Sequence, residues 1–165
     1  MDLIVRAVDV GSGNTKFVTS VVTSASGADI RCVSFPSVAY PSSDGLPSWP
    51  SGDRRKTTFI PIGALLYEVG PEVALAADTF RAKQLHDEYT ESPEYMALLR
   101  GALGMMKVGH IDLLVVGLPV ALFAVKKAAL EKAMTGKHDV GDGKTVTVAK
   151  ALAVAQPQGA LVHYA

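Results

Sequence analysis

Apolar and polar positions alternate at the start of the chain and give way to helical spacing further along. The opening pattern predicts three strands, over roughly 3–9, 16–23 and 29–35, joined as a β-meander through a turn at Ser24-Ala-Ser-Gly27. Residues 36–56 change character: Pro36, Pro41, Pro47 and Pro50 are spread among Ser, Asp and Gly, with Trp49 among them, and this reads as a loop-rich excursion. Two strand runs follow, Thr57 to Ile62 and Ala64 to Val69, divided by Gly63 and closed by Gly70-Pro71. Residues 36–90 are therefore expected to form a small subdomain inserted into a main body of 1–35 and 91–165.

Ser92-Pro93 supplies an N-cap with proline at the first helical position. Tyr95, Leu99, Ala102, Leu103 and Met106 then recur on one face of the predicted helix. Ile111 to Val116 is a continuous apolar run, as expected for a strand covered on both faces. Gly117-Leu-Pro119 ends it, and Pro119 can open a second helix, in which Leu122, Val125, Ala129, Leu130 and Ala133 are expected to face inward. Gly136 is placed to stop that helix. Val140 begins another strand, and after Gly141-Asp-Gly143 a long β run is expected over Thr145 to Ala155. This alternation, with the opening meander, predicts an α/β fold: a mixed sheet of about five strands with helices packed on it.

A chain of 165 residues suits one domain with a sizeable core. Sixteen basic residues balance sixteen acidic ones, so no broad attraction to nucleic acid or anionic lipid is predicted. The local Arg54-Arg55-Lys56 run reads as a solvated loop. Cys32 is the single cysteine, which excludes an internal disulfide and points to a reducing, cytoplasmic setting; in its strand-like surroundings a buried, inert thiol is expected. No secretory leader pattern is evident at the N-terminus, and no run approaches the roughly 20 apolar residues of a membrane span. His86, His110, His138 and His163 share no metal-ligand spacing.

The stretch with the most chemistry is Ala7-Val-Asp-Val-Gly-Ser-Gly-Asn-Thr-Lys-Phe-Val18. A strand leads into Asp9, two glycines follow at 11 and 13, then Lys16, and β-branched residues resume at once. Glycines at this spacing allow positive φ and remove Cβ atoms from the path of a ligand. A tight turn of this kind can gather N–H groups around phosphate oxygens, with Lys16 as a mobile charge and Asp9 beside a hydrated Mg²⁺. The same residues also suit a plain two-strand turn. The dinucleotide fingerprint is excluded because Lys16 stands where its third glycine belongs, and the Walker A loop because Thr15 precedes the lysine. Both of those loops open helices, whereas a strand pattern follows here.

Three separated pieces occur in order: Asp9-Val-Gly-Ser-Gly-Asn-Thr-Lys16, Leu114-Val-Val-Gly-Leu-Pro119 and Gln156-Pro-Gln-Gly-Ala160. Together they resemble the first domain of the actin-like ATPase superfamily, and most closely bacterial plasmid-segregation actins of the ParM/StbA type. Phe35-Pro-Ser-Val38 and the Tyr95 to Met106 helix add to the likeness. The resemblance implies a ribonuclease H-like mixed five-stranded sheet with flanking helices, spanning 1–165, with the second domain of the family absent.

It also implies roles. Asp9 would lie near Mg²⁺ through water. Backbone N–H groups of Gly11, Ser12, Gly13 and Asn14 would hold the β- and γ-phosphates of ATP or GTP, with the Ser12 and Asn14 side chains close by. Lys16 would reach the phosphates. Gln158 would stand in the water-positioning place, where plasmid actins often carry glutamate and eukaryotic actin a glutamine; an amide suits orienting water better than accepting its proton. The family site is a cleft between two domains, so one domain alone is expected to be inactive. The implied partners are other copies of the protein in a filament and a DNA-binding adaptor, with no direct nucleic-acid or membrane contact. The alternatives are a sugar or acetate kinase of the same superfamily, and an actin-like scaffold that binds nucleotide without polymerising.

Overall fold

The computed structural model describes residues 2–42, 55–73 and 89–156. Its strands are β1 (Val5–Val10), β2 (Asn14–Ser24), β3 (Gly27–Pro36), β4 (Tyr40–Ser42), β5 (Thr58–Ile62), β6 (Leu65–Val69), β7 (His110–Ile111), β8 (Leu113–Leu118), β9 (Gly136–Asp139), β10 (Thr145–Val148) and β11 (Ala151–Ala155). Helix α1 spans Pro93–Met105 and α2 spans Val120–Met134.

The main sheet runs in the order β11-β8-β1-β2-β3. β1, β2 and β3 form the expected antiparallel meander, while β1–β8 and β8–β11 are parallel pairs, so the sheet is mixed and five-stranded. Ser24 pairs with Gly27 across a two-residue turn, and Gly27 takes a φ of 134°. A register shift between Val18 and Ser20 inserts a bulge at Thr19, the kind of irregularity that twists a strand near a sheet edge.

Helix α1 begins where its N-cap places it. Ser92 Oγ accepts from Tyr95 N at 3.2 Å and donates to the Tyr89 carbonyl at 2.6 Å, a cap that contributes about 1 kcal/mol. The sequence pattern predicts one apolar face, but the helix buries residues on nearly every side, including Ala97, Leu98 and Gly101. It lies between the main sheet and a second sheet of order β4-β6-β5, so both flanks are dry. Gly101 makes this possible, because a Cβ there would come within 2.6 Å of Val69 Cγ2. The three-residue β4 emerges from the stretch read as loop. Pro41 fits it because β4 is an edge strand. Residues 43–54, with Pro47, Trp49, Pro50 and Arg54, lie outside the described residues.

The run from Ile111 to Val116 divides. His110–Ile111 pairs with β10 in a small β7-β10-β9 sheet, and Leu113 starts β8 in the main sheet. The long run after Gly143 divides likewise at Ala149-Lys150, because β10 and β11 serve different sheets. β9 begins at Gly136, earlier than Val140, since Gly136 at φ 117° reverses the chain directly from the end of α2.

The inward face of α2 is rotated from the expected one. Leu130 and Met134 are buried and Phe123 is partly so, while Val125 is 76% exposed. The reason is that α2 runs along the edge of the main sheet instead of over its centre. Thr135 Oγ1 accepts from Ala151 N at 3.2 Å and Glu131 Oε1 from Ala153 N at 3.0 Å, so the outward amides of edge strand β11 are satisfied by side chains of α2 and its C-cap.

Val8, Val10, Phe17, Phe35, Leu114, Val116 and Leu118 form the buried face of the main sheet. The opposite face presents Val5, Ala7, Leu113, Val115 and Val154, all half-buried, so β8 is covered on one face and not on both. Cys32 is exposed at the edge, contrary to the expected buried thiol. Among the described residues no helix is long and apolar enough to cross a membrane.

Candidate functional site

The site is built from the first hairpin. Alternation sends Val8, Val10, Thr15 and Phe17 into the core, which leaves Asp9 and Lys16, direct cross-strand partners, on the other face. The turn leads from strand to strand and opens no helix. Gly11 N donates to Asn14 O at 3.0 Å and closes it.

A clamp holds the turn from behind. Ser37 N donates to Gly13 O at 2.9 Å, Val38 N donates to Pro36 O at 2.8 Å, and the buried Thr15 and Ser37 hydroxyls meet at 2.9 Å. These bonds account for Phe35-Pro-Ser-Val38 in the motif set: its backbone is the buttress of the hairpin.

Two expectations about the turn need correction. Neither Gly11 nor Gly13 has positive φ. Gly11 is required instead by close approach, since a Cβ there would stand 3.0 Å from Asn14 O, whereas at Gly13 a Cβ would meet nothing within 4 Å. The Gly11 amide is also consumed within the turn, so it is not available to an anion. The amides of Ser12 and Gly13 make no hydrogen bond among the described residues. They and the open space over Gly13 form a cradle an anion can enter. Lys16 is exposed and joins no ion pair among the described residues.

Asp9 is half-buried at the ends of three parallel strands. Its Oδ1 accepts from Gln156 Nε2 at 2.7 Å. Between them lies Gly117, where a Cβ would collide with Asp9 Oδ1 and approach Gln156 Cγ to 3.3 Å. Gly117 is therefore the floor of an Asp9–Gln156 pair, a role beyond the strand end read from Gly117-Leu-Pro119. Asp9 Oδ2 has no partner among the described residues.

Behind Asp9 stands Tyr95 of α1, 1% exposed, with its hydroxyl unpartnered among the described residues. Its ring meets Tyr89 edge-on at 5.5 Å. Burial, then the charges of Asp9 and Tyr89, push its phenol well above the ordinary value, so it stays protonated. Periodicity marks Tyr95 only as a core residue, and nothing in the spacing signals its nearness to Asp9.

The structure thus brings together Asp9, Gly11, Ser12, Gly13, Asn14 and Lys16 on one hairpin. Gln158 lies outside the described residues, as do His86 and His163. Gln156 opens the third motif piece, but its bond to Asp9 is a role that sequence reasoning missed. Among the described residues no group of three or more His, Cys, Asp or Glu side chains could hold a metal ion.

A mixed five-stranded sheet with this hairpin at its centre, helices on one face and a smaller sheet beyond α1 defines the first domain of an actin-like protein. The chain belongs to the family of actin-like proteins, N-terminal domain, which matches over residues 7–159. Its fold is similar to that of apo pSK41 ParM, with a TM-score of 0.69 and 16% identity over 98% of this chain and 52% of that one. It is similar as well to AlfA from the B. subtilis plasmid pLS32 in a filament structure, with a TM-score of 0.66 and 17% identity over 96% of this chain and 58% of that one. An AlfA filament bound to AMPPNP gives 0.63 and 18% over 97% and 57%. The chain therefore spans little more than half the length of these proteins. No curated protein matches it.

Proposed function

We propose that this chain is the nucleotide-binding first domain of an actin-like protein that assembles into filaments and partitions plasmid DNA in the cytoplasm. The observation that carries the reading is the hairpin itself. Two amides of its turn, at Ser12 and Gly13, make no hydrogen bond among the described residues, the space at Gly13 is open, and Asp9 and Lys16 are cross-strand partners on one face. AlfA, of similar fold, has been seen as a filament and as a filament bound to AMPPNP, which supports both nucleotide binding and self-association here.

In this reading the Ser12 and Gly13 amides take phosphate oxygens of ATP or GTP, with the Ser12 and Asn14 side chains alongside and Lys16 neutralising charge. Asp9 would hold Mg²⁺ through one of its water ligands. A single carboxylate suits a magnesium ion that keeps most of its water and takes its other ligands from phosphate. The bound ion would draw negative charge from the phosphates. Gln156 holds the Asp9 carboxylate in place, and Gln158 orients the attacking water.

Residues 36–90 form an inserted subdomain that supplies subunit contacts, and DNA is reached through an adaptor. The phosphate cradle is one wall of a cleft whose other wall comes from a second domain. With one wall, charges stay screened by water and turnover by this chain alone is negligible.

The test is titration of the chain with a fluorescent ATP analogue and Mg²⁺, compared with Lys16→Ala. Lys16 is exposed, so the variant should fold normally and lose at least about tenfold in affinity, the scale of one charge-assisted contact. Equal binding by the two proteins would refute the site.

A further inference from the structure

The two edges of the main sheet are treated differently. α2 and its C-cap satisfy the outward amides of β11, but no described strand or helix pairs with the far side of β3. The direction of its free groups follows from the register. Ser37 N bonds Gly13 O across the Asn14–Pro36 pair, which makes that pair a widely spaced one. Alternation then turns the N–H and C=O groups of Phe35, Val33 and Arg31 toward β2, and those of Ser34, Cys32 and Ile30 outward. The Thr19 hydroxyl bond to Arg31 O at 3.2 Å agrees with this.

Such an edge usually carries lysine, proline or like charges that discourage pairing. Between Gly27 and Phe35 there is no lysine or proline. Ile30 is 55% exposed and Val33 46%, and Val21, the β2 partner of Ile30, is 38% exposed. Asp29 and Arg31 flank Ile30 and join no ion pair among the described residues. These two charges repel most partners' strands, yet they complement one particular strand, their own reversed.

The geometry points to a symmetric contact in which β3 pairs antiparallel with β3 of a second copy of this chain, across a two-fold axis at Ile30. Ile30 then faces Ile30 of the other copy, with both exchanging backbone hydrogen bonds through their outward groups. Asp29 of each copy faces Arg31 of the other, and Ala28 faces Cys32. The two Ile30 and two Val21 side chains lie on one face and form a shared apolar patch. Opposite charges directly across from each other stabilise a strand pair, and the same residues would repel if the register moved by two. The pairing joins two five-stranded sheets into one continuous sheet. It needs no nucleotide, so its failure would leave the phosphate-site reading intact, and the converse also holds.

The experiment is sedimentation of the 165-residue chain without nucleotide over a range of concentrations. A monomer–dimer equilibrium is expected. Arg31→Asp or Asp29→Arg alone should weaken it by about tenfold or more, because each puts like charges opposite one another twice per dimer. The double reversal should restore it. In a Cys32→Ser background, Ile30→Cys should cross-link under mild oxidation, since a bonded antiparallel pair sets the Cα atoms about 5.5 Å apart, within disulfide reach. Ser24→Cys in the same background should not. A chain that stays monomeric, a double reversal that fails to recover with circular dichroism unchanged, or absence of the Ile30→Cys cross-link would each overturn the proposal.

Discussion

Gln156 Nε2 donates to Asp9 Oδ1 at 2.7 Å and so joins β1 to the residue that follows β11. The bond occupies Asp9 Oδ1 and leaves Oδ2 without a hydrogen bond among the described residues. Replacing Gln156 with Ala should leave the fold intact and free Asp9 to rotate. The expected outcome is weaker nucleotide binding, by up to about tenfold, seen when Mg²⁺ is present and absent when it is chelated. Paired titrations with and without EDTA read this directly.

Gly117→Ala tests the same pair from below. The added Cβ would occupy the place of Asp9 Oδ1, so the carboxylate must move or the strands must part. Unfolding by urea should show a loss of about 1–3 kcal/mol, the usual cost of overpacking a tightly filled site.

Gly101→Ala should likewise destabilise the chain, by about 1–2 kcal/mol, because Val69 is fully buried and cannot withdraw its Cγ2. In a Val69→Ala background the obstructing methyl is gone. There the same substitution should stabilise by up to about 1 kcal/mol, the helix preference of Ala over Gly. The change of sign in a double-mutant cycle is the measurement.

His138 gives the fold a pH dependence. The ring is 3% exposed, its Nε2–H donates to the Met134 carbonyl at 2.9 Å, and Nδ1 is unpartnered among the described residues. Burial is the main cause that holds its pKa below the ordinary value, with the Arg100 charge assisting and the Met134 bond opposing. The unfolded chain therefore takes up a proton at higher pH than the folded one. Stability is full above the ordinary histidine value of about 6.5 and is lost as pH falls through the lower folded value. Denaturant midpoints should drop on acidification across that window, and His138→Gln should flatten the slope.

Much of this architecture was legible along the chain. The meander, the helix capped at Ser92 and the hairpin around Asp9 and Lys16 all follow from local chemistry: alternation, an N-cap, glycines between strands. The errors have one physical source, which is that apolar periodicity says a residue is buried but not against what. Ile111 to Val116 and Thr145 to Ala155 each read as one run because residues serving two sheets are equally apolar. Spacing places Leu130 inward correctly but also points Val125 there, because the partner of α2 is a strand edge, which asks for polar acceptors at Glu131 and Thr135.

The site was legible to a similar depth. Residue types and spacing identify the turn, but only coordinates show that Gly11 has spent its amide and that Gly117 makes room for a carboxylate. Gln156 and Tyr95 reach Asp9 through the tertiary fold, from 147 and 86 positions away, and no spacing rule spans such distances.

The central place of β1 has a consequence for biosynthesis. Val5 sits opposite Leu113 in a parallel pair, so β1 waits for a partner that leaves the ribosome far later. Until then the emerging chain holds its meander and, once residues 93–105 are made, α1 against it, but lacks the parallel half of the main sheet. Contacts so distant in sequence slow folding, and the newborn hairpin around Asp9 and Lys16 takes its final setting only after nearly the whole domain has been translated.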